Sequence, residues 1–349
     1  MSSNSESLAP IHLRSSLHPT IWGGRNLIRI AGKQLPDEEK IGESWETATD
    51  TVAINDPYTG QTLGALVDQY GEALIGSRAA AIFGMRFPLL AKFIDAQDQL
   101  SVQVHPDDAY ASAHENGKLG KTEAWYILEA DEGAEIVYGL KEKATEDEVR
   151  QAIAATRLED YLRRVKVHAG DVVLVPAGTV HAICAGIVLY ELQEYSDVTY
   201  RLYDYGRLQA NGQPRELHVE QSLAVMSYSP PEFDLVRPVA VENEEAEAGR
   251  VLVGCRYFLE EEARVQGEAP GLKRPASCQI VSVLQGSCDV VWSGGSVRVG
   301  LGETVVLPAA IGPHALQAGF ARVLRSYVPD QDDDLLKKWR AGQSVAISV

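Results

Sequence analysis

The chain is poor in cysteine. Its 349 residues include only Cys184, Cys255, Cys278 and Cys288, and none of them forms a C-x-x-C pair. A disulfide framework or a thiolate metal cluster therefore finds no support, and the four read as ordinary core residues of a reducing compartment. Long apolar runs are missing too. No stretch approaches the ~20 residues that a membrane span requires. The N-terminal MSSNSES lacks the basic start and apolar run of a secretory signal, so a cytoplasmic location is expected. Positive charge is also short: 32 Lys and Arg face 49 Asp and Glu, for a net charge of -17. Such a chain repels phosphate backbones and anionic lipid, which sets aside nucleic acid and membrane surfaces as partners. A small anionic substrate stays open, because a few local cations can dominate one pocket.

What is present points to β structure. The chain is 45% hydrophobic, enough for real cores, and carries 30 Gly and 16 Pro. Its length predicts about two domains. Residues 1–10 are polar and are expected to be a disordered tail. A first domain is expected over 11–235 and a second over 236–349, joined through the Pro- and Glu-rich stretch 227–250. Two helical segments are expected in the first. One covers about 65–97, on a broken stripe of Leu66, Leu74, Ile75 and Ile82. The other covers about 146–163: Thr145 and Glu148 make a T-x-x-E capping box, Glu146 and Asp147 fill the first turn, and Arg163 and Arg164 the last.

An internal repeat supports the two-part division. VKVHAGDVVLVPAGTVHAI at 165–183 aligns with VRVGLGETVVLPAAIGPHAL at 297–316. Gly170, Pro176 and His181 match Gly302, Pro308 and His314, with one residue inserted before the second His. The second copy has no Q-V-H-P upstream, so a metal is expected in the first domain only.

The strand LSVQVHPDD, 100–108, carries Ser101, Gln103 and His105 on one face, opposite Val102 and Val104. Residues i and i+2 of a strand point the same way, about 6–7 Å apart, so Gln103 and His105 can reach one ion. In GKTEAWYIL, Lys121 and Glu123 likewise share a face. The run G-x5-P-x-G-x2-H from Gly170 to His181 presents His181 from a strand end. Gln103, His105, Glu123 and His181 give two imidazoles, one carboxylate and one amide oxygen. This set suits Zn²⁺, and also Mn²⁺, Fe²⁺ or Co²⁺. With a single negative ligand, a zinc site keeps a charge of about +1 and polarises oxygen. His12, His18, His114, His168, His218 and His314 read as structural or surface residues.

The motif ending at His181 resembles the second motif of the cupin superfamily, and Q-V-H-P with a later Glu resembles a variant of its first. Taken together, WGG, GESWE, FPLLAKFIDAQDQLSVQVHPDD, GKTEAWY, PAGTVHA and SDVTYRLYDYGR resemble the type I mannose-6-phosphate isomerases in their short bacterial form, over roughly residues 8–225. The resemblance implies a mainly β protein of two cupin (double-stranded β-helix, jelly-roll) barrels, with a helical insertion in the first, catalytic barrel and a metal-free second one. It implies one Zn²⁺ per chain on Gln103, His105, Glu123 and His181. Arg201 matches the active-site arginine of the family. Glu191 and Lys121 match polar residues near the reacting carbons, and Lys92 and Ser101 match residues that contact a phosphate. The implied partners are mannose 6-phosphate and fructose 6-phosphate, on a monomer or weak homodimer.

Such an isomerase moves a proton between C1 and C2 through an enediolate. Arg201 stays protonated and cannot be the base. Glu191 and Lys121 are both candidates, and the sequence does not choose between them, nor which face of its strand Arg201 occupies. Two rivals share the barrel. A non-catalytic sugar-phosphate-binding cupin would not need Lys121, Glu191 and Arg201 together. An Fe²⁺ oxygenase favours a His-rich set, which Gln103 departs from.

Overall fold

The computed structural model describes residues 8–209, 212–243, 246–271 and 276–347. Its framework is three antiparallel sheets of ten, seven and five strands. The seven-stranded sheet holds Leu89–Ala96, Glu123–Ala130, Val172–Val175 and Ile187–Glu194 at its centre. These strands read as continuous apolar runs because both faces are covered. Ile94, Trp125, Ile127, Val173, Val175, Ile187 and Leu189 pack inward with Ile136, Tyr138 and Ile183 of the five-stranded sheet. The intervening residues, among them Phe93, Ala124, Tyr126, Leu174, Tyr190 and Leu192, pack outward in a core shared with Leu252, Ile280, Val306 and Leu324 of the ten-stranded sheet. Tyr190 Oη lies 3.0 Å from Ser282 Oγ across that second interface.

The five-stranded sheet consists of Tyr200–Tyr203, Val102–Val104, His181–Ile183, Glu135–Leu140 and Leu162–Lys166. Its outer face, with Val102, Val104, Val137, Ala182 and Leu202, is covered by Val149 and Leu223 from the helices Glu146–Ala154 and Val219–Val225. Its inner face looks across at the seven-stranded sheet, and the polar site lies between the two.

The helical expectation over 65–97 needs correction. Helices occupy Leu63–Tyr70, Glu72–Ile75 and Ser77–Phe83, but Leu89–Ala96 is a strand with every residue buried. Burial on both faces removes the period-2 pattern that would have marked it. The expectation over 146–163 was right at its start and long at its end. The capping box forms as read, with Thr145 N 2.7 Å from Glu148 Oε2. The helix stops at Ala154, Thr156 takes a positive φ of 56°, and Leu162–Lys166 joins a sheet. Arg163 and Arg164 thus lie on a strand, and Arg163 pairs with Asp234 at 2.5 Å.

The expected tail falls on residues 1–7, which lie outside the described residues, and on 8–10, which are ordered. Leu8 is buried, and Ala9 N donates to Tyr58 Oη at 3.1 Å. The strand Leu235–Val236 is still part of the seven-stranded sheet, while Ile11–Arg14 pairs with Thr304–Leu307 in the ten-stranded one. The two repeat copies adopt the same course. Each runs from a glycine of positive φ (Gly170, Gly302) into a short strand, then a turn, then a strand opening on its histidine. His181 Nδ1 lies 2.8 Å from Thr179 O, and His314 Nδ1 lies 2.9 Å from Gly312 O. All four cysteines are buried and free. No helix among the described residues is long and apolar enough to cross a membrane.

Candidate active site

Cross-strand register builds one wall of the site. On the five-stranded sheet Arg201 stands opposite Gln103, and Gln103 opposite His181. Directly opposed residues share a face, so all three side chains point into the space between the sheets. That settles the orientation of Arg201. The second wall is the inner face of the seven-stranded sheet, where Trp125, Glu191, Lys92 and Trp45 form one continuous row and Glu123 stands opposite Gln193.

His105, Glu123 and His181 converge, each offering a ligand atom within 4.8 Å of the others. Glu123 Oε2 lies 3.5 Å from His105 Nε2, and Glu123 Oε1 lies 3.2 Å from His181 Nε2. The tautomers follow from the other ring nitrogens. His105 Nδ1 is 2.8 Å from Val198 O and His181 Nδ1 is 2.8 Å from Thr179 O, and a carbonyl can only accept. Both Nδ1 atoms therefore carry the proton, and both Nε2 atoms present lone pairs to a carboxylate. Among the described residues neither Nε2 has a hydrogen-bond partner, although both are buried. Two lone pairs facing a carboxylate in a dry interior repel unless a cation sits among them. The residues fit a divalent metal, with backbone carbonyls fixing the ring orientation.

The electrostatics agree. Burial, helped by Lys121, holds the His105 pKa well below its usual value, so the ring stays neutral and available as a ligand. Burial opposes ionisation of Glu123, but the charge of Lys121 outweighs it and keeps its pKa well below the usual carboxylate range. Lys121 Nζ is 2.8 Å from Glu123 Oε2.

Beside this cluster, Lys92 Nζ lies 2.9 Å from Glu191 Oε1 and 3.6 Å from Glu43 Oε2. Burial opposes the Lys92 charge, yet Glu191 and Glu43 prevail and its pKa is raised. Trp125 Nε1 donates to Glu191 Oε2 at 3.1 Å, and Trp45 Nε1 donates to Glu43 Oε2 at 2.5 Å. Arg201 is fixed on three sides. Its Nε is 3.3 Å from Ser101 Oγ, its guanidinium donates to Glu216 O at 2.8 Å, and its backbone N–H donates to His218 Nδ1 at 3.1 Å.

Sequence reading named Gln103, His105, Glu123, His181, Lys121, Glu191, Arg201, Lys92 and Ser101, and all project into this one space. It missed Glu43, which sits inside the quoted GESWE. It also missed Arg207 and Arg215. Both donate to Asp204, at 2.6 and 2.5 Å, close enough that Arg215 and then Arg207 add to burial in lowering the Arg201 pKa. A cleft of about 570 Å³ lined by Trp22, Lys40, Glu43 and Arg215 opens from this region to solvent.

Comparison with known proteins agrees with the geometry. Residues 11–149 match the model of the phosphomannose isomerase type I catalytic domain. The mannose-6-phosphate isomerase of Streptococcus mutans is 39% identical over 313 residues, covering 86% of this chain and 93% of that protein. Mannose-6-phosphate isomerase ManA of Bacillus subtilis is 38% identical, covering 91% and 99%. The crystal structure of a mannose 6-phosphate isomerase from Bacillus subtilis superposes with a TM-score of 0.81 at 34% identity, covering 91% of this chain and 99% of that one. The apo enzyme from Salmonella typhimurium, at 17% identity and a TM-score of 0.73, speaks to the fold alone. The chain belongs to the type I phosphomannose isomerase family.

Proposed function

We propose that this protein is a metal-dependent aldose–ketose isomerase that interconverts mannose 6-phosphate and fructose 6-phosphate. The observation that carries the reading is the pair of buried, unpartnered histidine Nε2 atoms facing Glu123, next to a buried Lys92–Glu191 pair. Gln103, His105, Glu123 and His181 would hold the metal, with zinc as the best match to two imidazoles, a carboxylate and an amide oxygen. When bound, it would supply positive charge that stabilises the oxyanion of the enediolate.

The chain's own residues do the rest. Arg201 is half buried and faces the space between the sheets, and its guanidinium would stabilise the negative charge that develops on the enediolate oxygens. Glu191 and Lys121 are the groups that can take the proton from C2 of the aldose and deliver it to C1. A positioned base contributes roughly 10²–10⁴-fold. Lys92 and Trp125 hold Glu191 in orientation. Ser101 would contact the phosphate, with Arg207 and Arg215 adding positive charge at the entrance. Lys92, expected as a second phosphate contact, is held between Glu191 and Glu43 and is better matched to orienting Glu191. The same reading gives two cupin barrels, supported by the repeated strand–turn–strand unit, with the expected bounds of 11–235 and 236–349 shifted by strand pairing: Ile11–Arg14 joins the ten-stranded sheet and Leu235–Val236 the seven-stranded one.

The test is a coupled assay of fructose 6-phosphate formation, before and after chelation. Turnover that disappears on chelation and returns with Zn²⁺ supports the proposal. Tight sugar-phosphate binding without turnover at any metal loading defeats it.

A further inference from the structure

A second cleft, also of about 570 Å³, lies on the opposite side of the seven-stranded sheet from the metal cluster, where that sheet meets the ten-stranded one. Arg250, Arg264, Arg322, Gln285, Tyr126 and Phe320 line it. Part of this lining has a structural role. Glu262 accepts from Arg250 Nε at 2.7 Å and from Arg322 Nε at 2.8 Å, and Tyr126 Oη accepts from the same two arginines at 2.8 and 3.2 Å. Those bonds staple the two sheets together.

Arg264 has no place in that staple. It is exposed, and no ion pair is found for it among the described residues. It stands directly opposite Arg322 on the neighbouring antiparallel strand, and Arg322 in turn stands opposite Gln285. Like charges opposed across a strand pair are destabilising. Here the repulsion is set into one wall of a cleft holding three guanidiniums against a single carboxylate, in a chain whose net charge is -17. Guanidiniums so arranged form paired N–H donors matched to phosphate oxygens. Phe320, 45% exposed, adds an apolar edge.

We propose that this cleft is a binding site for a diphosphate-bearing anion, separate from the site that holds the sugar phosphate. The diphosphate bridges Arg264 and Arg322, relieving their repulsion, with Arg250 and Gln285 as further donors and Phe320 beside whatever organic group the anion carries. A pocket between two packed units is a common place for such a ligand.

Calorimetric titration of the metal-loaded full chain with inorganic pyrophosphate tests this, with adenosine diphosphate as a second probe for the apolar edge. Arg264→Ala is expected to weaken pyrophosphate binding at least tenfold and to abolish the rise in Tm that pyrophosphate gives the parent protein. Its own Tm without ligand is expected to rise slightly, since the repulsion between Arg264 and Arg322 is gone, and its isomerase turnover stays unchanged. Arg264→Lys retains part of the affinity. Arg201→Ala is expected to leave pyrophosphate binding intact. Equal binding by the parent and Arg264→Ala, which is also what simple withdrawal of the metal by pyrophosphate would give, overturns the proposal. So does loss of binding in Arg201→Ala, which would place the anion in the isomerase site.

Discussion

Lys92 and Glu191 face each other in direct register on neighbouring strands, both buried, with Nζ and Oε1 2.9 Å apart. Removing one member of such a pair strands the other charge in a dry interior, at a cost of about 3–5 kcal/mol. Lys92→Met is therefore expected to lower stability by that order and to cut turnover, because Glu191 loses the contact that orients it. Lys92→Met combined with Glu191→Gln is expected to regain much of the stability and none of the activity. Denaturant melts with steady-state rates on the four members of the cycle provide the check.

The metal cluster makes a separate demand. His181→Ala removes one of the two lone pairs aimed at Glu123, and Glu123→Gln removes the only negative ligand among the candidates. Both proteins are expected to fall from about one metal per chain to a small fraction of that, by elemental analysis after dialysis. Full occupancy in both would mean that the metal resides elsewhere.

Much of this site was legible in the sequence because its signals are local. Gln103 and His105 are two residues apart, at and just past the end of Val102–Val104. Lys121 and Glu123 are two apart at the start of Glu123–Ala130, and the turn before His181 is written in Pro176 and Gly178. The capping box at Thr145 and Glu148 was readable for the same reason. Leu89–Ala96 was not, since a strand buried on both sides loses the alternation that identifies it. Glu43 and Arg215 were missed for another reason. The place of Glu43 depends on which distant strand becomes its neighbour, and that of Arg215 on an acceptor further away along the chain, and neither is encoded in local spacing. Arg207, three residues from Asp204 inside the quoted SDVTYRLYDYGR, was readable there and was passed over.

The identity of the base follows from exchange with solvent. If Glu191 moves the proton, Glu191→Gln is expected to lose C2–H exchange roughly 10²–10⁴-fold while Lys121→Met keeps more of it. The reverse pattern assigns the step to Lys121. Deuterium incorporation at C2 of mannose 6-phosphate, followed by NMR, separates the two without requiring net turnover.

Stability should fall as the solution becomes alkaline, and Glu260 is one cause. Burial pushes its pKa up to about 8, although Ser326 Oγ donates to it at 3.3 Å and favours the charged form. Glu194, also buried, is raised to about 8 as well. Below the ordinary carboxylate pKa both folded and unfolded chains hold the proton, and the groups contribute no pH dependence. Between there and about pH 8 the folded chain binds more protons than the unfolded one, so stability declines as pH rises. Each unit of displacement is worth about 1.4 kcal/mol, so each of the two groups accounts for a decline on the order of 4 kcal/mol between pH 5 and 9. Glu260→Gln keeps the shape of the side chain and cannot ionise. It is expected to melt close to the parent at pH 5, to melt several degrees higher at pH 9, and to flatten the Tm profile between them. Parallel Tm profiles for the two proteins would mean that Glu260 titrates as an ordinary exposed carboxylate.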